Sequence, residues 1–200
     1  MTPQGSPPRR PTPPGMAPRR RFGVGGGMLR LALFRAEGMA GFPDSKQGFI
    51  NSFAPLLAMA LVGGFLVATG GEPRLALESV GSTVVAMLAQ PVVSHWFATR
   101  WGREGPWLRY ATAVNWSQWA PMLAIFMLMP LVQLALGIGL APKLVALGLL
   151  AVVFAYALAL SWFLARIGLG ISRIRALVLV IAVHLVLVVV VEGPLLLNGH

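Results

Sequence analysis

Residues 143–165 read KLVALGLLAVVFAYALALSWFLA, and no charged side chain follows Lys143 within them. A water-soluble helix of this length keeps one polar face, whereas this one is apolar all round. At about 1.5 Å per residue it reaches roughly 34 Å, enough to cross a hydrocarbon core about 30 Å thick. Four more stretches share that character, at 49–69, 75–98, 109–135 and 173–192. They are continuous apolar runs without the alternation of a porin strand, so helices are the spanning structure that fits. The expectation is an all-α integral membrane bundle of five transmembrane helices over 49–192.

Composition points the same way. Of 200 residues, 56% are hydrophobic and 11% charged, against about 25% charged in soluble globular proteins. Mean hydropathy is +0.75. A soluble globule of this size has too little polar material to coat so much apolar surface. With no cysteine, disulfides, thiolate metal sites, iron–sulfur clusters and cysteine nucleophiles are excluded. No wide hydrophilic loop separates the spans, so no domain outside the membrane is expected beyond the N-terminal tail.

Ahead of the spans, residues 1–27 (MTPQGSPPRRPTPPGMAPRRRFGVGGG) hold prolines, arginines and almost nothing to bury. Such a stretch cannot offset its ordering entropy, so a disordered cytoplasmic tail is expected, with the glycines at 23–27 as a hinge. Residues 28–42 place Leu29, Leu33 and Phe34 on one helical side and Arg30 and Glu37 elsewhere. Too short to span, they read as an amphipathic helix lying in the headgroup plane.

Basic residues set the orientation. The tail and the 28–46 region carry Arg9, Arg10, Arg19, Arg20, Arg21, Arg30, Arg35 and Lys46. The second loop carries Arg100, Arg103 and Arg109, and the fourth carries Arg166, Arg173 and Arg175. The alternate loops hold only Arg74 and Lys143. The N-terminus is therefore expected in the cytoplasm and the C-terminus in the periplasm. Arginine outnumbers lysine 14 to 2, which reads as a GC-rich bacterial genome and a cytoplasmic (inner) membrane. The net charge of +10 flanks apolar spans and lines no soluble face, so it suits anionic headgroups and not nucleic acid. Arg100, Trp101, Arg103, Trp107, Arg109, Trp162 and Arg166 are the expected surface anchors, with Trp96, Tyr110, Trp116 and Trp119 at the same inner end.

Polar residues inside spans are the candidates for chemistry. Ser79, Thr83, Gln90 and Ser94 recur along one stripe of the second span, with Glu78 and Ser82 beside its outer end and His95 at its inner end. Asn115, Ser117, Gln118 and Gln133 occupy the third span, which also contains Pro121 and Pro130. One reading is a polar seam for a small solute or proton between these two helices. The other is interhelical hydrogen bonding, worth roughly 0.6 kcal/mol per contact on average. His184 lies deep in the fifth span, either as a relay or ligand or as a neutral imidazole bonded to a carbonyl or a serine. No G-x-S-x-G, H-E-x-x-H or P-loop occurs, and Asp44, the single aspartate, lies outside the bilayer. A non-enzymatic protein without cofactor or metal is expected.

Two packing signals remain. Ala60, Gly64 and Ala68 form a small-xxx-small row that invites close approach of another helix. The fifth span, LVLVIAVHLVLVVVV at 177–191, is bulky on all sides and is expected to face lipid or a partner.

The segments RYATAVNWSQWAPML (109–123) and SWFLARIGLGISRIRALVLVIAVHLV (161–186), separated by a Gly-containing outer loop, resemble Yip-type (Ypt-interacting-protein-like) small bacterial membrane proteins. The resemblance extends over residues 28–192 and implies a five-helix bundle behind a cytoplasmic N-terminal extension. It supplies no catalytic motif. The combined expectation is a structural or accessory subunit of a larger membrane complex, contacting another membrane protein or a second copy of itself. A small transporter or channel subunit using the second-span stripe is the alternative.

Overall fold

The computed structural model describes the backbone of residues 23–198 and the side chains of residues 23–189. The expected tail lies outside the described residues as far as Phe22. All regular structure among the described residues is helical: α1 (Val24–Ala32), a 3-10 helix (Ala36–Gly41), α2 (Lys46–Asn51), α3 (Ala54–Thr69), α4 (Pro73–Arg100), α5 (Glu104–Ser117), α6 (Trp119–Gly137), α7 (Pro142–Leu169) and α8 (Arg173–Asn198).

Among the described residues, four helical runs are long and apolar enough to cross a membrane: Lys46–Thr69, Pro73–Arg100, Glu104–Gly137 and Pro142–Leu169. Two of them contain interruptions that proline explains. Pro55 has no N–H to give the Asn51 carbonyl, and the chain breaks between α2 and α3. Pro121 likewise leaves the Ser117 carbonyl without its helical donor, and the Gln118 N–H falls back to Asn115 at 3.4 Å. The Pro-containing helix expected over 109–135 is thus two helices meeting at Gln118.

The long helices stand side by side, α3 against α4, α4 against α8, α8 against α7 and α7 against α6, while α5 fills the space between α4 and α7. Helix α5 is the most enclosed element, with Tyr110 through Asn115 and Ser117 all buried. In lipid there is no water to drive helices together, so close packing and hydrogen bonds must do it. Small residues allow that closeness: Ala98, Ala111, Ala113, Ala120, Ala165 and Ala176 are each no more than 3% exposed.

Helix α8 corrects one expectation. It is flanked by α4 and α7, and Ala176, Leu179, Val180 and Val183 form a buried stripe at helical spacing. Ala176 admits the neighbouring helices, and the bulky residues at Leu177, Val178, Ile181 and Leu185 remain on the exposed side. Over residues 173–189, only one face of α8 is therefore available to lipid or a partner.

The region before the first span also differs from a single helix over 28–42. Helix α1 begins at Val24, so the glycines at 25–27 lie inside it and do not form a hinge. The chain reverses at Phe34, which takes φ 56°, and returns as the 3-10 helix. Glycine is required here because the two arms nearly touch. A Cβ on Gly27 would lie 2.8 Å from the Gly38 carbonyl oxygen, and one on Gly38 would lie 2.6 Å from the Gly27 oxygen. This hairpin is docked on the bundle. Leu31 is fully buried, the Tyr156 hydroxyl donates to the Ala32 carbonyl at 2.9 Å, and Phe34 packs edge-on against Tyr156 and Phe163.

Candidate functional site

The polar residues of the second and third spans do not form one continuous seam. At the N-terminal end of α4, Glu78 pairs with Arg74 at 3.0 Å, and both are exposed. Ser82 and Thr83 each donate to the Ser79 carbonyl, at 3.0 and 2.8 Å, so their hydroxyls are satisfied within their own helix. Ser79 and Thr83 face a groove shared with Met59, Ala60, Gly63 and Gly64 of α3. Helix α4 has different neighbours along its length, and the two halves of the expected stripe face different helices.

The C-terminal half of α4 does meet α5. The Gln118 amide donates to Gln90 Oε1 at 3.0 Å. Trp107 Nε1 donates to Ser94 Oγ at 3.1 Å, and Ser94 in turn reaches the Pro91 carbonyl at 3.2 Å. His95 meets Trp107 edge-on, with ring centroids 4.5 Å apart. Asn115 turns away from α4 and donates to Ser52 Oγ at 2.8 Å, while Ser52 donates to the Phe49 carbonyl at 2.6 Å. That chain of bonds ties α5 to the α2–α3 break. Close to Gln118, Ser117 Oγ and Trp119 Nε1 are buried without a partner.

Behind the Gln90–Gln118 bond lies a cavity of about 110 Å³. Its polar lining comes from Gln90 of α4, Tyr110 of α5, Gln118 at the helix break, Ser161 of α7 and His184 of α8. His184 Nδ1 lies 2.8 Å from the Val180 carbonyl oxygen, a bond that the ring makes when Nδ1 carries the proton of a neutral tautomer. In that tautomer Nε2 is an acceptor. Tyr110 is only 4% exposed, because its ring lies against Gly168, where a Cβ would come within 2.8 Å of it. Among the described residues no group of three His, Asp or Glu side chains gathers to hold a metal. His184 is the single imidazole on the cavity.

Sequence reasoning missed three contributors. Tyr110 reads as a headgroup-level aromatic from its place beside tryptophans, and Ser52 and Ser161 have no periodic partners. Gly168 is a signal for Tyr110, since a glycine in the last turns of an apolar helix invites a ring against it.

The small row Ala60, Gly64 and Ala68 packs within the chain. Gly64 is buried under Val80 of α4, which would collide with any added Cβ. The basic and aromatic residues gather at one end of the bundle. Arg175 lies over Trp101 at 5.7 Å and Arg166 over Trp162 at 5.9 Å, and Trp162 Nε1 donates to the Arg173 carbonyl at 3.0 Å. Arg109 pairs with Asp44 at 3.2 Å, and Arg103 stands near Gly170 at the α7–α8 turn. Arg100 ends α4 beside them. Trp101, Trp107 and Trp162 are each partly buried against the core, and Trp107 also reaches Ser94.

The apolar helical bundle is that of a multi-pass membrane protein. No family model, curated protein or solved structure matches the chain.

Proposed function

We propose that the chain is a non-enzymatic, five-span protein of a bacterial inner membrane that serves as a structural or accessory subunit of a larger membrane complex. The observation that carries this reading is how little of each span the chain covers for itself. In the best apolar window of each of the four long runs, no more than 11% of residues are buried. Helices α3 and α6 lie at the two ends of the row, and each packs chiefly on a single long neighbour, α4 and α7 respectively. A second membrane protein, or another copy of this one, would cover those end helices. Helix α8 supplies the fifth span, giving the odd number that leaves the N-terminus in the cytoplasm and the C-terminus in the periplasm. The gathering of Arg100, Arg103, Arg109, Arg166, Arg173 and Arg175 near one end supports that orientation and an inner face against anionic headgroups. Kinship with Yip-type proteins belongs to the same proposal and is supported by the helical bundle behind a basic N-terminal segment.

Gentle detergent extraction of the native membrane, followed by native mass analysis, tests the subunit role. Co-migration with other proteins at a fixed ratio is expected. A lone monomer that stays monomeric across detergents would overturn it.

A solute path is the second reading, favoured by the Gln90–Gln118 bond and the cavity behind it. Gln90→Leu should then abolish flux of the solute while insertion is unchanged.

A further inference from the structure

We propose that the cavity between α4, α5, α7 and α8 is a binding site for a small uncharged hydrogen-bonding molecule, a class that water and short polyols share. The inference does not depend on which assembly the chain joins.

The first argument is unmade hydrogen bonds. Buried polar groups in folded proteins are almost always paired with protein or an ordered small molecule. Tyr110, 4% exposed, lines the cavity, and its hydroxyl has no partner among the described residues. Ser161, partly buried on α7, lines the same cavity, and its hydroxyl has no partner among the described residues either. His184 has committed Nδ1 to Val180, which leaves Nε2 as an acceptor. After the Gln118-to-Gln90 bond, the Gln90 amide protons and the Gln118 carbonyl oxygen are still available. These groups come from separate helices and converge on one space.

Size and charge narrow the occupant. A volume of about 110 Å³ compares with roughly 30 Å³ per liquid water, so the space suits about three waters or one molecule of glycerol size. None of the lining residues is Asp, Glu, Lys or Arg. A charged solute would enter without a counter-charge, at a heavy desolvation cost. An apolar molecule would leave the hydroxyls and the imidazole nitrogen unpaired. A molecule carrying hydroxyls answers both donors and acceptors.

Neighbouring cavities emphasise the contrast. The groove between α7 and α8 is lined by Phe154, Leu158, Trp162, Ile181 and other apolar residues, and the one between α6 and α7 wholly by apolar residues. Those surfaces suit lipid chains. His184 lines both the α7–α8 groove and the polar cavity and so forms part of the wall between them.

The test is solid-state NMR on the full chain in lipid bilayers, with ¹⁵N-histidine and ring-labelled tyrosine. Magnetisation transfer is recorded from water, and from added ¹³C-glycerol, to His184 and Tyr110. Transfer from water that glycerol does not displace supports the site with water as its occupant. A glycerol cross-peak to either residue supports it with a polyol. Loss of the signal in Ser161→Phe, which fills the cavity, and its weakening in Tyr110→Phe, which removes only a hydroxyl, are expected. The His95 signal should persist in both variants and reports that the fold survives. Contact with neither water nor glycerol at His184 and Tyr110 in the wild-type chain would overturn the proposal.

Discussion

Asn115 reaches Ser52 across 63 positions of sequence in a setting where water cannot substitute for either group. Such bonds in membrane proteins average about 0.6 kcal/mol and reach about 1.7. Asn115→Leu should therefore lower stability by about 0.6 to 1.7 kcal/mol, read by denaturant titration in mixed micelles; no change would mean the bond contributes nothing. The adjacent glycines Gly63 and Gly64 should respond in opposite directions. A Cβ at Gly63 meets nothing within 4 Å, so Gly63→Ala should stabilise α3 by about 0.5 to 1 kcal/mol through helix propensity. At Gly64 the new methyl meets Val80, and Gly64→Ala should cost about 1 to 3 kcal/mol through overpacking. The same titration compares the two, and equal effects would remove Gly64 as the point of α3–α4 contact.

Among the elements, the α1 hairpin is the most informative, because its two arms are held by glycine against glycine. Enlarging Gly27 pushes backbone against backbone, which cannot yield as a flexible side chain can. In a Gly27→Leu background, a cysteine placed at Leu31 should become reactive to a thiol reagent, whereas in the parent chain it should be protected. Equal protection in both would show that the hairpin is held by other contacts. The hairpin also marks where the sequence became hard to read. The apolar spans were legible because every turn of α7 carries the same message, and length and hydropathy average over the whole helix. The hairpin turns on single contacts, Gly27 on Gly38 and Tyr156 on Ala32, between residues with no periodic relation. The break at Gln118 was half visible: Pro121 was in plain view, but proline within a membrane helix permits a kink without requiring one.

At the scale of the molecule, the distribution of charge was legible and the distribution of neighbours was not. Arg100, Arg103, Arg166 and Arg173 occupy alternate loops in the sequence and gather at one end of the bundle, as alternating helix direction demands. Hydropathy could not say that α8 packs between α4 and α7, because a bulky apolar helix looks alike whether its neighbour is lipid or protein. Of the polar stripe expected on α4, only Gln90 reaches the cavity. The opposing walls come from Tyr110, Ser161 and His184 on three other helices, and no spacing rule connects them.

The proposed arrangement has an odd number of crossings, with the arginine-rich end in the cytoplasm. The chain contains no cysteine, so single cysteines can be introduced without background at Gly71, Gly102, Gly139, Ser172 and His200. Intact cells are then treated with a membrane-impermeant thiol reagent. Labelling at 71, 139 and 200, with protection at 102 and 172 until the membrane is opened, is the predicted result. Protection at 200 alongside labelling at 71 and 139 would mean four crossings and would contradict the five-span arrangement.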